Sequence, residues 1–517
     1  MRLLLTDAWV VTMDDAGTEH ERGWILVEDG VVAAVGPGDP PEHIVAGGGS
    51  GPGDHPASSP GAGVRAQAAP PPRVGREPPA THHDSGPPEE AGARRPSQQL
   101  RDNSSTAAGA DTSSDAGGTE TRELRGAVVT PGLVNTHHHL FQTLTRARAQ
   151  EADLFTWLTT LYPVWAHVDA EMEYAAARTG LAELALSGCS TVFDHHYLFP
   201  RGATGLIEAE LQAARELGMR FVASRGSMDL GVSEGGLPPD ELAEDTDAVL
   251  ADTERLATLA DGDMLQIAVA PCSPFSVTTR LMEESAALAR RLGLRLHTLL
   301  AETVEEDAYC LELYGCTPVE YLERVGWLGG DVWCAHCVHL SPNDIATFAR
   351  HGIGVAHCPT SNLRLGAGVA PVRELLDAGA PVGLGVDGTA SNERGDLSYE
   401  VKQALLVARG RGGGTAMTTR DALRLGTRGG AAVFGRDDIG SIEPGKRADL
   451  AIWRTDGLEL GGADDLVAGL VLSAPHRVDT LLVGGREVVR GGALANADEQ
   501  EIAREHRTEA ARLSPAA

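Results

Sequence analysis

The 517-residue chain has no run of about 18 consecutive apolar residues, so it offers no membrane-spanning helix. Its start, MRLLLTDAWVV, has one Arg and an apolar run broken by Asp7. That is too short and too acidic for a secretory leader. Positive charge is scarce. Lys and Arg total 43 against 73 Asp and Glu, for a formal net charge of −30. Such a surface repels phosphates, which argues against nucleic acid and anionic membranes as partners and leaves a small neutral or cationic molecule. Cysteine is also sparse: seven residues, an odd number, scattered through strand-like runs. This fits a reduced, cytoplasmic setting better than a disulfide scaffold.

Between about Ala46 and Thr121 large apolar side chains almost vanish, as in GGGSGPGDHPASSPGAG and SSTAAGADTSSDAGG. A stretch like this cannot bury enough surface to offset its ordering entropy, so residues 46–121 read as a disordered low-complexity insert. Its His82-His83 pair is expected to be solvated.

What remains is regular. Strand-like runs occur at VVTPGLVNTH, STVFDHH, RFVASRG, LQIAVAP, LRLHTLL, DVWCAH, GIGVAHC and PVGLGVD, with helical patterns between them. Glu171–Ser187 places Tyr174, Ala177, Leu181 and Leu184 on one face. Ser341-Pro342-Asn343-Asp344 reads as a helix start, and His351-Gly352 as its end. Eight β runs alternating with helices predict an α/β fold, a (βα)8 TIM-type barrel over 122–435; a doubly wound open sheet is the alternative. Short β runs at 1–45, with a hairpin signal at Glu28-Asp29-Gly30, and at 436–492 are expected to form a small β-sandwich. Residues 493–517 are left as a tail.

Polar residues gather at the carboxyl ends of these runs, where barrel chemistry sits. The first run ends in His137, His138 and His139; the second in Asp194, His195 and His196; the fifth carries His297 and then Glu302. The sixth ends in His336, the seventh in His357 and the eighth in Asp387. His137 and His139 are two apart and share a strand face, so both can reach one cation, whereas His138 points away. Imidazoles plus a carboxylate suit Zn²⁺ or Fe²⁺ with a position open for water. Cys334-Ala335-His336-Cys337 has no second CxxC and reads as core packing. Gly231-Val232-Ser233-Glu234-Gly235 lacks the strand-to-helix setting of a nucleophile elbow. The HExxH and HxE…PCxxC zinc motifs are absent.

PGLVNTHHH, AHCVHL, HCPTSNLRLGAG, GVDGTASN and GSIEPGKRADLAIW together resemble the amidohydrolase superfamily, in particular its aromatic aminohydrolase and chlorohydrolase branch. Within that branch, NTHHHLFQTLTRA, FDHHYLFP, SRGSMDLG and APCSPFSVT are most similar to 8-oxoguanine deaminases. The resemblance covers nearly the whole chain outside 46–121. It implies one divalent metal ion, zinc with iron as the alternative, held by His137, His139, His336 and Asp387. It also implies proton transfer by Glu302 and Asp387, and substrate contacts from Gln142, His195, Tyr197 and His357. The expected reaction is hydrolytic deamination of an aminated purine-type ring, in a homo-oligomer. The fifth-strand motif of the branch reads HxHLAET, its second His binding metal. Here the segment is His297-Thr298-Leu299-Leu300-Ala301-Glu302-Thr303, so Leu299 stands at the ligand position. His297 is the alternative donor on the same strand; the alternative functions are a hydrolase of another ring substrate, namely guanine or a triazine amine or chloride, and a metal-poor, non-catalytic homologue.

Overall fold

The computed structural model describes residues 1–45, 112–114 and 118–513. Met1–Gly47 and Ala110–Ala517 form one unit. Most of the expected insert, with His82 and His83, lies outside the described residues.

Eight parallel strands close into a barrel in chain order: β1 (Leu133–Asn135), β2 (Cys189–Asp194), β3 (Arg220–Ser227), β4 (Leu265–Pro271), β5 (Arg295–Leu300), β6 (Val332–His336), β7 (Gly354–His357) and β8 (Val382–Leu384). Each matches one of the eight runs read from the sequence. They are near-continuous apolar runs because both faces are covered. Inside, Val134, Phe193, Val222, Ala268, Trp333 and Ala356 pack into a filled core. Outside lies the largest apolar cluster, where Leu181, Leu184, Ile207 and Leu211 of the first two covering helices, Ala170–Leu186 and Leu206–Leu217, meet the strands. The expected helix start at Ser341 is a capping box with Asp344 ahead of Pro342–His351, and Gly352 ends that helix in the left-handed region. The Gly231–Gly235 segment holds only a short 3₁₀ turn, Val232–Glu234.

The two ends of the chain build one separate ten-stranded sheet. Strand Ala127–Pro131, which leads directly into β1, pairs in parallel with Arg2–Val11 and antiparallel with Leu450–Arg454. Asp29 and Gly30, at φ of 49° and 82°, turn the hairpin between Glu19–Glu28 and Val31–Pro37. A buried Arg220 at the start of β3 grips Asp449 with two nitrogens, at 3.0 and 3.1 Å, and so ties this sheet to the barrel base.

Two boundaries differ from expectation. Thr119–Glu123 is a strand paired with Arg2–Thr6, so ordered pairing begins before residue 121. Its alternating Thr and charged residues carry no apolar signal, but a neighbouring strand supplies the hydrogen bonds. The expected tail contains a helix, Glu499–Arg512, capped by Asp498 and packed on Ala170–Leu186 through an Arg178–Glu505 pair at 2.7 Å. Ile502 is its one buried apolar residue, too little for a periodic signal.

Candidate metal centre and active site

The carboxyl ends of β1, β6 and β8 bring His137, His139, His336 and Asp387 together. His139, His336 and Asp387 line one small cavity of about 40 Å³, along with Gln142, Tyr197, Leu299 and Glu302. All four ligand candidates are buried.

Their hydrogen bonds fix which ring nitrogen faces the cavity. A carbonyl oxygen can only accept, so His139 donates Nδ1–H to the His195 carbonyl at 2.7 Å. His336 donates Nδ1–H to Asn362 Oδ1 at 2.9 Å. His297 donates Nδ1–H to the Trp333 carbonyl at 3.1 Å, so its Nε2 accepts from His137 Nδ1–H at 3.0 Å. At His336 burial is outweighed by Glu302 and Asp387, which raise its pKa and favour a proton on Nε2; His137 and His139 are left with an unprotonated Nε2, the form that binds a metal ion. Burial adds to this by pushing His139 down to about 3, which keeps the ring neutral.

The spacing fits a metal ion. Zinc with bonds of about 2.0–2.1 Å sets tetrahedral donors about 3.3 Å apart. Asp387 Oδ1 lies 3.3 Å from His137 Nε2 and 3.3 Å from His139 Nε2. His137 Nε2 has no hydrogen-bond partner among the described residues. Burial opposes ionisation of Asp387, but the close approach of His137 and the facing His139 and His336 rings outweigh it and hold the carboxyl well below the usual range. The other oxygen, Oδ2, accepts from Ser361 Oγ at 2.6 Å and from Ser391 Oγ at 3.3 Å. His336 and Asp387 are non-glycine residues in the left-handed region, at φ of 69° and 63°. Strained backbone of this kind concentrates at functional sites.

Glu302 Oε2 lies 3.6 Å from His336 Nε2. Burial raises its carboxyl to about 7, against the pull of His336 and with a further push from Asp387. A carboxyl held near neutrality can both give and take a proton.

Some expected residues lie elsewhere. His297 is not on the cavity wall. It stands behind His137, its ring also packed on Trp333 with centroids 4.7 Å apart, and both of its nitrogens are already engaged. The two-residue step from Leu299 puts it one layer deeper in the barrel. Leu299 lines the cavity itself, so an apolar side chain faces the donors. His195 also points inward. Its Nε2 donates to the Ala270 carbonyl at 2.9 Å and its ring lies 4.8 Å from that of His297; off the cavity wall, the ring also lies 5.7 Å from that of His137 and 5.3 Å from that of His139. His357 borders a different cavity, with Val369 and Arg373. Gln142 and Tyr197 do reach the central cavity. His138 packs outside the barrel against Gly180, with no partner for either nitrogen among the described residues. Cys334 and Cys337 are buried and free.

Several wall residues had no sequence signal of their own. Trp157 and Tyr162, from the helix Leu154–Trp165, cover the cavity, and Cys272 and Phe275 follow β4. Asn362 and Ser361 lie within HCPTSNLRLGAG, but their supporting roles show only in the bonds they make.

The amidohydrolase family model matches residues 128–488. The chain belongs to the amidohydrolase family. It is 48% identical to the 8-oxoguanine deaminase of Pseudomonas aeruginosa over 75% of this chain and 87% of that protein. It is 40% identical to an isoxanthopterin deaminase of an unknown prokaryotic organism, over 74% and 84%. Among solved structures it is similar to the zinc-complexed atrazine chlorohydrolase of Arthrobacter aurescens TC1, with a TM-score of 0.80 and 29% identity over 98% of this chain and 100% of that one. The protein is thus an enzyme, a hydrolytic deaminase of this family with a site for a divalent metal ion. No helix among the described residues is long and apolar enough to cross a membrane.

Proposed function

We propose that this protein converts 8-oxoguanine and water to urate and ammonia, using one zinc ion. The observation that carries the reading is the constellation itself. The Nε2 atoms of His137 and His139 stand at tetrahedral spacing from the Asp387 carboxylate, and His336 faces the same cavity beside a carboxyl poised near pH 7. His137, His139, His336 and Asp387 would hold the ion. When bound, it supplies Lewis-acid chemistry that acidifies water near neutral pH.

Asp387, the strongly ionised carboxylate, takes the proton from the attacking water. Glu302 gives its proton to the ring nitrogen beside the amine-bearing carbon as the water oxygen adds there. Asp387 then passes its proton to the amine, the C–N bond breaks, ammonia leaves, and the new hydroxyl returns a proton to Glu302 as the carbonyl forms. Gln142 Oε1 is buried without a partner among the described residues and lines the cavity, so it is free to accept an N–H from a purine edge. Tyr197, Trp157 and Tyr162 supply flat apolar walls against which a heterocycle stacks. The similarity to the P. aeruginosa 8-oxoguanine deaminase supports the choice of ring. Ammonia release measured over 8-oxoguanine, guanine, isoxanthopterin, adenosine and aminotriazines, with chloride release from chlorotriazines, tests it; a triazine or a nucleoside taken in preference would reject it.

Leu299 favours a second reading, a weakly metallated homologue with little activity. Zinc content of the purified protein, measured beside the ammonia assay, separates the two. In its cell the enzyme is proposed to be cytoplasmic and homo-oligomeric, with no nucleic-acid partner.

A further inference from the structure

Helix Val304–Tyr314 follows Glu302 directly and buries only Glu306 and Cys310. The Glu306 carboxylate turns back over the helix start. Its Oε1 accepts from Ala301 N–H at 2.8 Å and its Oε2 from Glu302 N–H at 3.1 Å. Both oxygens are committed to backbone, so Glu306 borders the cavity without offering a substrate a free acceptor. Ala301 sits at φ of 49°, a left-handed conformation that costs a residue with a Cβ. The Ala301 carbonyl in turn accepts from Val338 N–H at 2.9 Å and His339 N–H at 3.0 Å, in the loop just after His336. That loop begins with two more left-handed residues, His336 and Cys337. Three left-handed residues thus lie just where two adjacent strands end, and the Ala301 carbonyl joins the two ends.

We infer that Glu306 is a positioning residue whose two backbone hydrogen bonds hold Ala301 left-handed and thereby set Glu302 against His336. Strained backbone persists only where its surroundings over-determine it, and Glu306 supplies the N–H side of that determination. The position is on no metal ion and on no substrate; it acts through the placement of the Glu302 backbone.

The test uses Glu306→Gln, which keeps one acceptor, Glu306→Ala, which keeps none, and Glu306→Ala combined with Ala301→Gly. Glycine adopts positive φ without the Cβ cost. The activity arm rests on the proposed deamination. On 8-oxoguanine, kcat falls about threefold to tenfold in the first variant and about tenfold to a hundredfold in the second, while zinc per chain and KM change little. The glycine recovers part of the loss, which mere destabilisation would not allow. In crystals of Glu306→Gln and Glu306→Ala the Glu302 carboxylate departs from its 3.6 Å approach to His336. Unchanged kcat, or an unmoved Glu302 in both crystals, overturns the inference. If the parent protein releases no ammonia from any ring tested, the deaminase substrate is wrong, and the crystallographic arm still decides the role of Glu306.

Discussion

His137 stands between two partners: its Nε2 faces Asp387 Oδ1 at 3.3 Å, while its Nδ1 lies 3.0 Å from His297 Nε2. The ring can donate only from Nδ1 if Nε2 is to bind metal, and His297 is fixed as the acceptor by its own bond to Trp333. His297 therefore governs the tautomer of a ligand without being one. Replacing His297→Phe removes the acceptor but keeps an aromatic ring. Zinc affinity, measured by chelator competition, is expected to fall about 10–100-fold. Unchanged affinity would show that His137 needs no such partner. Complete loss of binding in a folded protein would put His297 back among the donors.

Glu302→Gln removes the proton carried at a carboxyl that burial raises to about 7. Zinc content per chain is expected to stay constant, because the tetrahedral edges involve His137, His139 and Asp387. Loss of one general acid–base group typically costs about 10²–10⁴ in rate, and kcat should fall by that order. A variant that loses zinc together with activity would mean that Glu302 holds the ion rather than moving protons.

Much of this site was legible in the sequence because barrel chemistry has a fixed address. Every one of the eight runs became a barrel strand, and the histidines at their ends follow the two-residue period that puts His137 and His139 on one face. What sequence could not give was depth and direction. His195 and His357 end strands just as His336 does, yet one ring turns into the core and the other toward a separate cavity. Supporting residues such as Asn362 and Glu306 are recognisable only by the bonds they make to a neighbouring loop. The strand Thr119–Glu123 failed to announce itself because partner backbone, rather than apolar alternation, holds it.

A second set of buried acids predicts how stability depends on pH. Glu173, Glu210 and Asp194 are fully buried around His196, whose Nδ1 meets Glu210 Oε1 at 2.7 Å. That separation is shorter than the edge between two ligands of one tetrahedral zinc ion. Burial raises all three carboxyls well above their usual range, and it pushes Glu400 up to about 8. In the unfolded chain such groups titrate near 4, so the folded protein binds more protons above that pH. Their contribution is fully present below about pH 4 and is lost as pH rises through the folded values. Each group alone tilts stability by about 1.4 kcal/mol per pH unit within its window. Below about pH 6.5 the buried neutral rings of His138, His139 and His357 add stability as pH rises and oppose this trend, so the melting temperature should decline from about pH 7 to pH 9, and Glu400→Gln should flatten the slope up to about pH 8. A melting temperature that rises across that range would contradict the assignment of protons to these carboxyls.

The last prediction concerns Leu299. Its side chain faces the same small cavity as His139, His336, Asp387 and Glu302, from a strand paired in register with β6, where Leu299 lies opposite Ala335 and Leu300 opposite His336. An imidazole at this position would enter the space between the donors with no change in backbone, since the Leu299 N–H already bonds the Cys272 carbonyl. The parent site still has three histidines and a carboxylate, enough for a four-coordinate zinc ion, so it is expected to bind, but less tightly than with a further donor. Leu299→His should raise zinc affinity at least tenfold and increase ammonia release at limiting zinc. Both gains should vanish when zinc saturates the parent, provided its chemistry is otherwise intact. If affinity rises while saturated activity falls, then Leu299 shapes the pocket for substrate rather than leaving a gap in the metal site. If neither changes, the added imidazole does not reach the ion.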